Sequence, residues 1–330
     1  MRIHIGFGDY PGGFNTSVWR CLIPGEALTR AGHDVTFSHI ADIGNWDADS
    51  YLLERNLYIP EVFSAIENLH SKGKRLVATF DDHYAIMPDT CLSKGTWNGN
   101  NLQRFIDALG IVDCAIVPNK LLAEDYSPFC KEIRYVPNYA DMDLYRNIKN
   151  RSVAKEHPTV NVMWGGNSTH LQGLKETGFL EALGKLCEKR RLVKVITVAD
   201  RMCALAFSRY IPAEQLVIEN WKPLSEWTKF VAARADIIAC PLYGEYDMRR
   251  SWVKAIDAVV FGIPLIASNL EPFRGTGAMM VQNTQKDWYN ALGDLVSNQW
   301  RAHRVVESMV SALGSVSIDD HIKEYEEVLG

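Results

Sequence analysis

The chain has 330 residues, 47% of them hydrophobic, with 35 basic against 40 acidic side chains and a formal net charge of −5. That length suits two domains with substantial cores, and the charge balance supplies no global positive field to draw the protein to nucleic acid or an anionic membrane. No run approaches the roughly eighteen apolar residues of a membrane span. The N-terminus enters a strand-like RIHIGFG without a charged-then-apolar leader, and seven scattered cysteines form no Cys-x-x-Cys pair, so the expectation is a soluble, cytoplasmic protein in a reducing compartment.

Short apolar runs at residues 3–7, 35–39, 76–80 and 115–117 alternate with amphipathic stretches at 18–30, 62–72 and 102–109, the pattern of a parallel sheet covered by helices. Residues 138–158 are polar, with Asn147, Lys149, Asn150, Arg151, Lys155, Glu156 and His157, and read as an exposed connection. A second alternation follows, with strands at 160–164, 193–198, 216–218, 237–240 and 265–267 and helices at 179–189 and 227–233. The chain ends in helices, with Trp288, Leu292, Leu295 and Val296 on one stripe and a last amphipathic piece at 318–329. The predicted fold is α/β, two Rossmann-like doubly wound domains facing across a cleft, with ligands at the carboxyl ends of the strands.

Polar clusters fall at those strand ends. Gly6, Gly8, Gly12 and Gly13 follow the first strand, but Pro11 stands where a dinucleotide fingerprint needs its third glycine, which argues against NAD. Asp81, Asp82 and His83 close another strand: the carboxylates can accept hydroxyl hydrogen bonds and the imidazole can move a proton. Three consecutive residues do not converge easily on one ion, and no His-x-x-x-His or cysteine set adds metal ligands. Gly165, Gly166, Asn167, Ser168 and Thr169 lead into a helix whose first amides suit a diphosphate. Further on, Arg249 and Arg250 precede a helix in which Lys254 and Asp257, at i and i+3, share a face. Gly262 can cap that helix and Pro264 blocks its continuation. The plainer roles of the same residues are packing turns, backbone caps and an exposed ion pair of about 0.2–0.5 kcal/mol.

These segments resemble the GT-B glycosyltransferases, particularly the retaining group-1 (family 4-like) enzymes. PGGFNTSVWRCLIPGEALTRAGHDVTF is similar to their glycine loop, helix and Gly-His-x-Val strand. AIVPNK and YVPNYADMDLY match the late strand and the linker signature, with Tyr139 where a glycine is usual, and WGGNSTHLQGLK matches a variant phosphate loop. PLYGEYDMRRSWVKAIDAVVFGIPLIAS takes the place of the helix with two glutamates, Arg249 standing at the first and Asp257 at the second.

The resemblance implies an N-terminal acceptor domain over 1–150, a nucleotide-sugar donor domain over 151–310, and a C-terminal helix over 311–330 packing back on the N-terminal domain. It implies transfer from a UDP- or GDP-sugar to a saccharide or other hydroxylated acceptor, with retention and with neither metal nor other cofactor. Asp257 would hold the ribose, Arg249, Ser251 and Lys254 the phosphates or sugar, the loop of Gly165 and Gly166 with Asn167 and His170 would also meet the donor at its phosphates, and the base would lie near Trp221. The acceptor would enter near Gly12, Gly13, Asp82 and His83, so the catalytic set is Asp82, His83 and Arg249. Two alternatives stay open: a sugar-nucleotide or glycan-binding protein without catalysis, and a phage-type enzyme that glycosylates DNA bases, against which the net charge weighs.

Overall fold

A computed structural model describes residues 1–9, 16–146 and 159–330; Gly12, Gly13 and the expected boundary at 150/151 lie outside the described residues. Two six-stranded sheets, parallel throughout, carry the fold. The first contains β1 (Arg2–Phe7), β2 (Asp34–His39), β3 (Ser50–Glu54), β4 (Arg75–Thr79), β5 (Cys114–Val117) and β6 (Ile133–Tyr135), in the order β2-β1-β3-β4-β5-β6. The second contains β7 (Val160–Gly166), β8 (Val193–Ala199), β9 (Leu216–Glu219), β10 (Ile237–Cys240), β11 (Leu265–Ser268) and β12 (Met279–Val281), in the order β12-β11-β10-β7-β8-β9. The direction of winding reverses between β1 and β3 and between β7 and β10, and a doubly wound sheet opens its ligand crevice at such a reversal.

Each strand expected from an apolar run is present to within two residues, while β3, β6 and β12 add to them. Strand β3 is buried at all five positions although it ends on a carboxylate, Glu54. Inside the first sheet Glu54 accepts hydrogen bonds from the Gly8 amide (2.7 Å) and the Ser17 hydroxyl, tying the β1 loop to the first helix.

That helix starts irregularly for a local reason. Pro24 has no N–H to continue the ladder, and the turn before it, Val18–Leu22, is wound as a π-helix in which the Ile23 amide donates to the Val18 carbonyl. Within this turn Arg20 is fully buried, donating to Thr79 Oγ1 (2.8 Å), the Val136 carbonyl (2.8 Å) and Asn138 Oδ1 (3.1 Å). One buried cation thus joins the first helix, β4 and the connection between the sheets.

The connection begins buried where its polarity predicts exposure, while residues 147–158, which carry the polar side chains of that expectation, lie outside the described residues. Asn138, Tyr139, Ala140 and Asp141 are all buried. Tyr139, the residue in place of a glycine, stacks on His321 (4.0 Å between centroids, 7° between planes) and donates its hydroxyl to Glu324 (3.0 Å). Ala140 exchanges backbone bonds with Val316 and Ile318, and Asp141 pairs with Arg30 at 3.2 Å. The last helix, Ile318–Leu329, packs on the helix Ile23–Arg30 of the first sheet. Trp288, Leu292 and Leu295 are buried, with Val296 half-buried beside them. Among the described residues no helix is long and apolar enough to cross a membrane.

Close packing of the first helix on its sheet can be tested at Gly25, where an added Cβ would stand 2.5 Å from the Phe37 ring and 2.7 Å from Ile5 Cδ1. Gly25→Ala is expected to lower stability by about 1–3 kcal/mol, read as an earlier denaturant midpoint by circular dichroism.

Candidate functional site

The two crevices open onto one cavity of about 360 Å³. Its N-terminal wall is made by Asp9, Thr16, Trp19, Arg55, Asp81, Asp82, Met87 and Ser93, with Asn138 of the connection at the back. Opposite stand Trp164, Gly165, Gly166, Asn167, Thr169, His170, Trp221, Cys240, Leu242, Arg250, Ser251, Val253, Lys254 and Phe273.

The second wall is organised by the helix Val253–Phe261, which Gly262 ends in the left-handed region at φ 62° before the chain enters β11. Asp257 lies one turn behind Lys254 and is fully buried. It accepts from Trp227 Nε1 (2.9 Å) and the Tyr145 hydroxyl (3.4 Å), and burial raises its pKa. It therefore orients Trp227 and does not line the cavity. Lys254 places its ammonium 5.0 Å from the Trp227 ring centre, with no hydrogen bond to any described residue. Burial lowers its pKa, with Asp257 acting the other way.

The two glycines make room for this arrangement. A Cβ on Gly165 would stand 2.7 Å from the Trp227 ring and 3.3 Å from Lys254 Nζ; one on Gly166 would stand 2.6 Å from Trp164 and 3.0 Å from His170. The helix-end amides expected to hold a diphosphate are otherwise engaged. Ser168 N–H donates to Asp200 (2.6 Å) and Thr169 N–H to Asn167 Oδ1 (3.1 Å), so Asn167 serves as a cap at the cavity's edge. Among the described residues, Lys254 is a cation on this wall that no hydrogen bond engages.

Arg250 crosses the cleft. Its Nη1 donates to Asp82 of the first domain and to the Tyr246 hydroxyl (3.0 Å), and its Nη2 to His170 Nε2 (3.1 Å). A guanidinium has only donors, so Nε2 is the acceptor and the His170 proton sits on Nδ1. Burial, then Arg250 and Lys254, keep this imidazole neutral. Asn119, beyond β5, donates to the carbonyls of Met248 (3.1 Å) and Arg250 (2.9 Å), fixing the loop that carries Arg250.

Arg249 and His83 stand beside this crossing, outside the cavity lining. Arg249 pairs with Asp125 and, at 2.7 Å, with Glu245; His83 Nε2 lies 3.5 Å from the same Asp125 carboxylate. Burial lowers the pKa of His83, with Asp125 opposing and Arg249 assisting. Of the sequence-derived candidates, Asp82, Gly165, Gly166, Asn167, His170, Trp221, Ser251 and Lys254 meet at the cavity. Trp221 is 43% exposed at its rim after β9. Residues the sequence reading did not single out for the site include Asp9, Thr16, Arg55 and Trp227, and Arg250 takes the crossing position rather than its neighbour. The signal that could have found Arg55 is its place directly after the carboxyl end of β3.

Asp81 is the unusual carboxyl of the first wall. Its Oδ2 accepts from Thr16 Oγ1 (2.9 Å) and its Oδ1 is buried without a partner among the described residues. Burial, then the adjacent Asp82, push its pKa up to about 7. Among the described residues no group of three or more His, Cys, Asp or Glu side chains could hold a metal ion.

No protein-family model and no curated protein sequence matches the chain. Solved structures do. A sucrose-phosphate synthase from Thermosynechococcus elongatus aligns with a TM-score of 0.68 at 13% identity over 99% of this chain and 98% of the other. An alpha,alpha-trehalose-phosphate synthase (UDP-forming) from Burkholderia vietnamiensis aligns at 0.66 and 11% identity, over 99% and 96%. A UDP complex of HepE from Anabaena aligns at 0.63 and 11%, over 99% and 98%. The described residues have the GT-B fold.

The raised Asp81 pKa has a consequence for stability. Below pH about 4 the carboxyl is protonated in both folded and unfolded chains. From there to pH about 7 the unfolded chain ionises first, so the stability this group contributes at low pH is lost as pH rises through its folded value. Asp81→Asn is expected to be about 1–3 kcal/mol more stable than wild type at pH 8 and indistinguishable from it near pH 4, read by thermal denaturation at the two pH values.

Proposed function

We propose that the chain is a glycosyltransferase that moves a sugar from a nucleoside-diphosphate sugar to a hydroxyl acceptor, with retention and with no metal at the diphosphate. The observation that carries the reading is the Lys254 ammonium, which faces the interdomain cavity at the switch point of the second sheet and has no hydrogen-bond partner among the described residues. UDP is the donor nucleotide to test first, because two fold neighbours are a UDP complex and a UDP-forming synthase.

In this reading the acceptor oxygen bonds to the anomeric carbon as the bond from that carbon to the β-phosphate oxygen breaks. The electron pair leaves on the diphosphate, and the acceptor proton passes to the departing oxygen on the same face. Negative charge grows on the diphosphate during this step, and Lys254 with the neighbouring Arg250 binds it more tightly than the ground state. Trp221 offers its exposed ring to the base, and Ser251 a hydroxyl to the phosphates. A fixed dry site strengthens each of these contacts relative to water.

A second reading, sugar-nucleotide binding without transfer, is favoured by one observation: the donor helix presents no carboxylate to the cavity. Asp257 is buried behind Lys254, and Arg249 is turned to Asp125 and Glu245. Donor hydrolysis or transfer across a panel of UDP- and GDP-sugars supports the enzyme; tight UDP binding with neither reaction supports the binder.

A charge-assisted contact to a phosphate is worth about 1.5–3 kcal/mol, so Lys254→Ala is expected to weaken UDP binding by roughly 10- to 100-fold in titration calorimetry. Unchanged affinity would remove Lys254 from the donor site.

A further inference from the structure

The second sheet turns the carboxyl ends of its strands to the cavity and their amino ends to the opposite side of the domain, where the turn before β8 gathers charge. Residues 185–194 contain Lys185, Lys189, Arg190, Arg191 and Lys194 against one carboxylate, Glu188. The first four of these cations are exposed, and none of the five forms an ion pair with a described residue. Lys185 and Lys189 stand 5.2 and 5.5 Å from the centre of one ring, Tyr289, and Lys194 donates to the Glu214 carbonyl. These contacts hold the side chains in place and leave their charge unneutralised.

The turn itself is firmly held. Val193 N–H donates back to the Arg190 carbonyl (3.0 Å), and the Leu192 carbonyl accepts from Val160 N–H (2.9 Å). The buried Gln215 side chain donates to the carbonyls of Arg190 (3.1 Å) and Val193 (2.8 Å). Arg191 and Leu192 are left at the corners, with Leu192 54% exposed. Turn corners favour glycine, proline and short polar residues, so neither folding nor the core accounts for a leucine there. Tyr210, also exposed, lies on the same edge with its carbonyl close against Gly184.

We propose that this face docks on a bilayer containing anionic lipid, with the cations on headgroup phosphates and Leu192 entering the boundary between headgroups and acyl chains. Each Lys or Arg near such a surface is drawn by its negative potential, and attachment grows with the apolar area inserted beside them. The aliphatic stems of Arg190 and Arg191 can lie along the lipid while their guanidinium groups stay at the phosphates. A single-stranded nucleic acid fits this face less well, because it needs open aromatic rings for stacking and the Tyr289 ring is already faced by two ammonium groups. With a net charge of −5 on the whole chain the attraction is confined to this patch, so docking orients the protein, and the cavity opens away from the lipid. Docking makes no use of Lys254, so it holds or fails independently of donor binding.

The test is flotation of the full chain with vesicles of phosphatidylcholine alone or mixed with phosphatidylglycerol, with duplex and single-stranded DNA as competing probes. Binding to the mixed vesicles is expected to be at least ten-fold tighter than to phosphatidylcholine and to weaken as salt screens the headgroups. Joint reversal of Lys189, Arg190 and Arg191 to Glu is expected to remove that preference, and Leu192→Ser to weaken binding at least three-fold with the charge unchanged. Reversal of Lys72, Lys229 and Lys323, exposed cations elsewhere, is expected to leave it in place. Thermal denaturation by circular dichroism confirms that each variant is folded. Equal binding to both vesicles, full binding by the Lys189/Arg190/Arg191 variant, equal loss in the control variant, no effect of Leu192→Ser, or tighter binding to DNA than to the mixed vesicles would overturn the inference.

Discussion

The guanidinium of Arg250 is shared between two domains, and the geometry of the cavity depends on it. Bonded to Asp82 on one side and to His170 on the other, it sets the distance between the walls and fixes the tautomer of the imidazole. Asn119 holds the Arg250 and Met248 carbonyls from the first domain, and Asp125 holds Arg249 one residue earlier. Three side chains of the N-terminal domain thus grip one short loop of the other. Removing either partner of such a buried pair leaves a charge uncompensated, which is more costly than never having built it. The loop leads directly into the helix that carries Lys254, so domain contact and the placement of Lys254 are mechanically one device.

Behind that loop the wall of the second domain is built by space as much as by charge. Gly165 leaves the ring of Trp227 room to lie against β7, Trp227 carries Lys254 above its face, and Asp257 with Tyr145 fixes the ring from below. Tyr145 lies within the connection, in the helix Met142–Arg146, so the connection also reaches the helix that carries Lys254. On the other wall Glu54 plays the corresponding part, pinning Gly8 and Ser17 while its charge backs Arg55. Each sheet places these groups at its point of reversal, where two neighbouring strands run off to opposite sides and leave a gap.

Much of this was legible in the chain. Alternating apolar runs marked nine strands, because a parallel strand covered on both faces must be apolar along its length. The turn at Gly262 and the polar ends of β4 and β7 were readable from residue type alone. Strand β3 was not, since Glu54 ends it and a buried carboxylate defeats any pattern that equates charge with surface. The start of the connection was unreadable for a similar reason: Asn138 and Asp141 are polar but buried, held by Arg20 and Arg30 from far away in sequence. Spacing placed Lys254 and Asp257 on one face, yet only packing shows that Asp257 sits a turn deeper with both oxygens engaged. Nor does spacing distinguish Arg249 from Arg250, neighbours in a turn that face Asp125 and the cavity respectively.

The central claim is that a nucleoside diphosphate lies between the sheets with its phosphates on Lys254. Electron density from a crystal of the protein grown with UDP tests it most directly. The expected result places phosphate oxygens within hydrogen-bond distance of Lys254 Nζ, beside Gly165, with the uracil toward Trp221. UDP bound outside the interdomain cavity, or bound within it with its phosphates away from Lys254, would contradict the account.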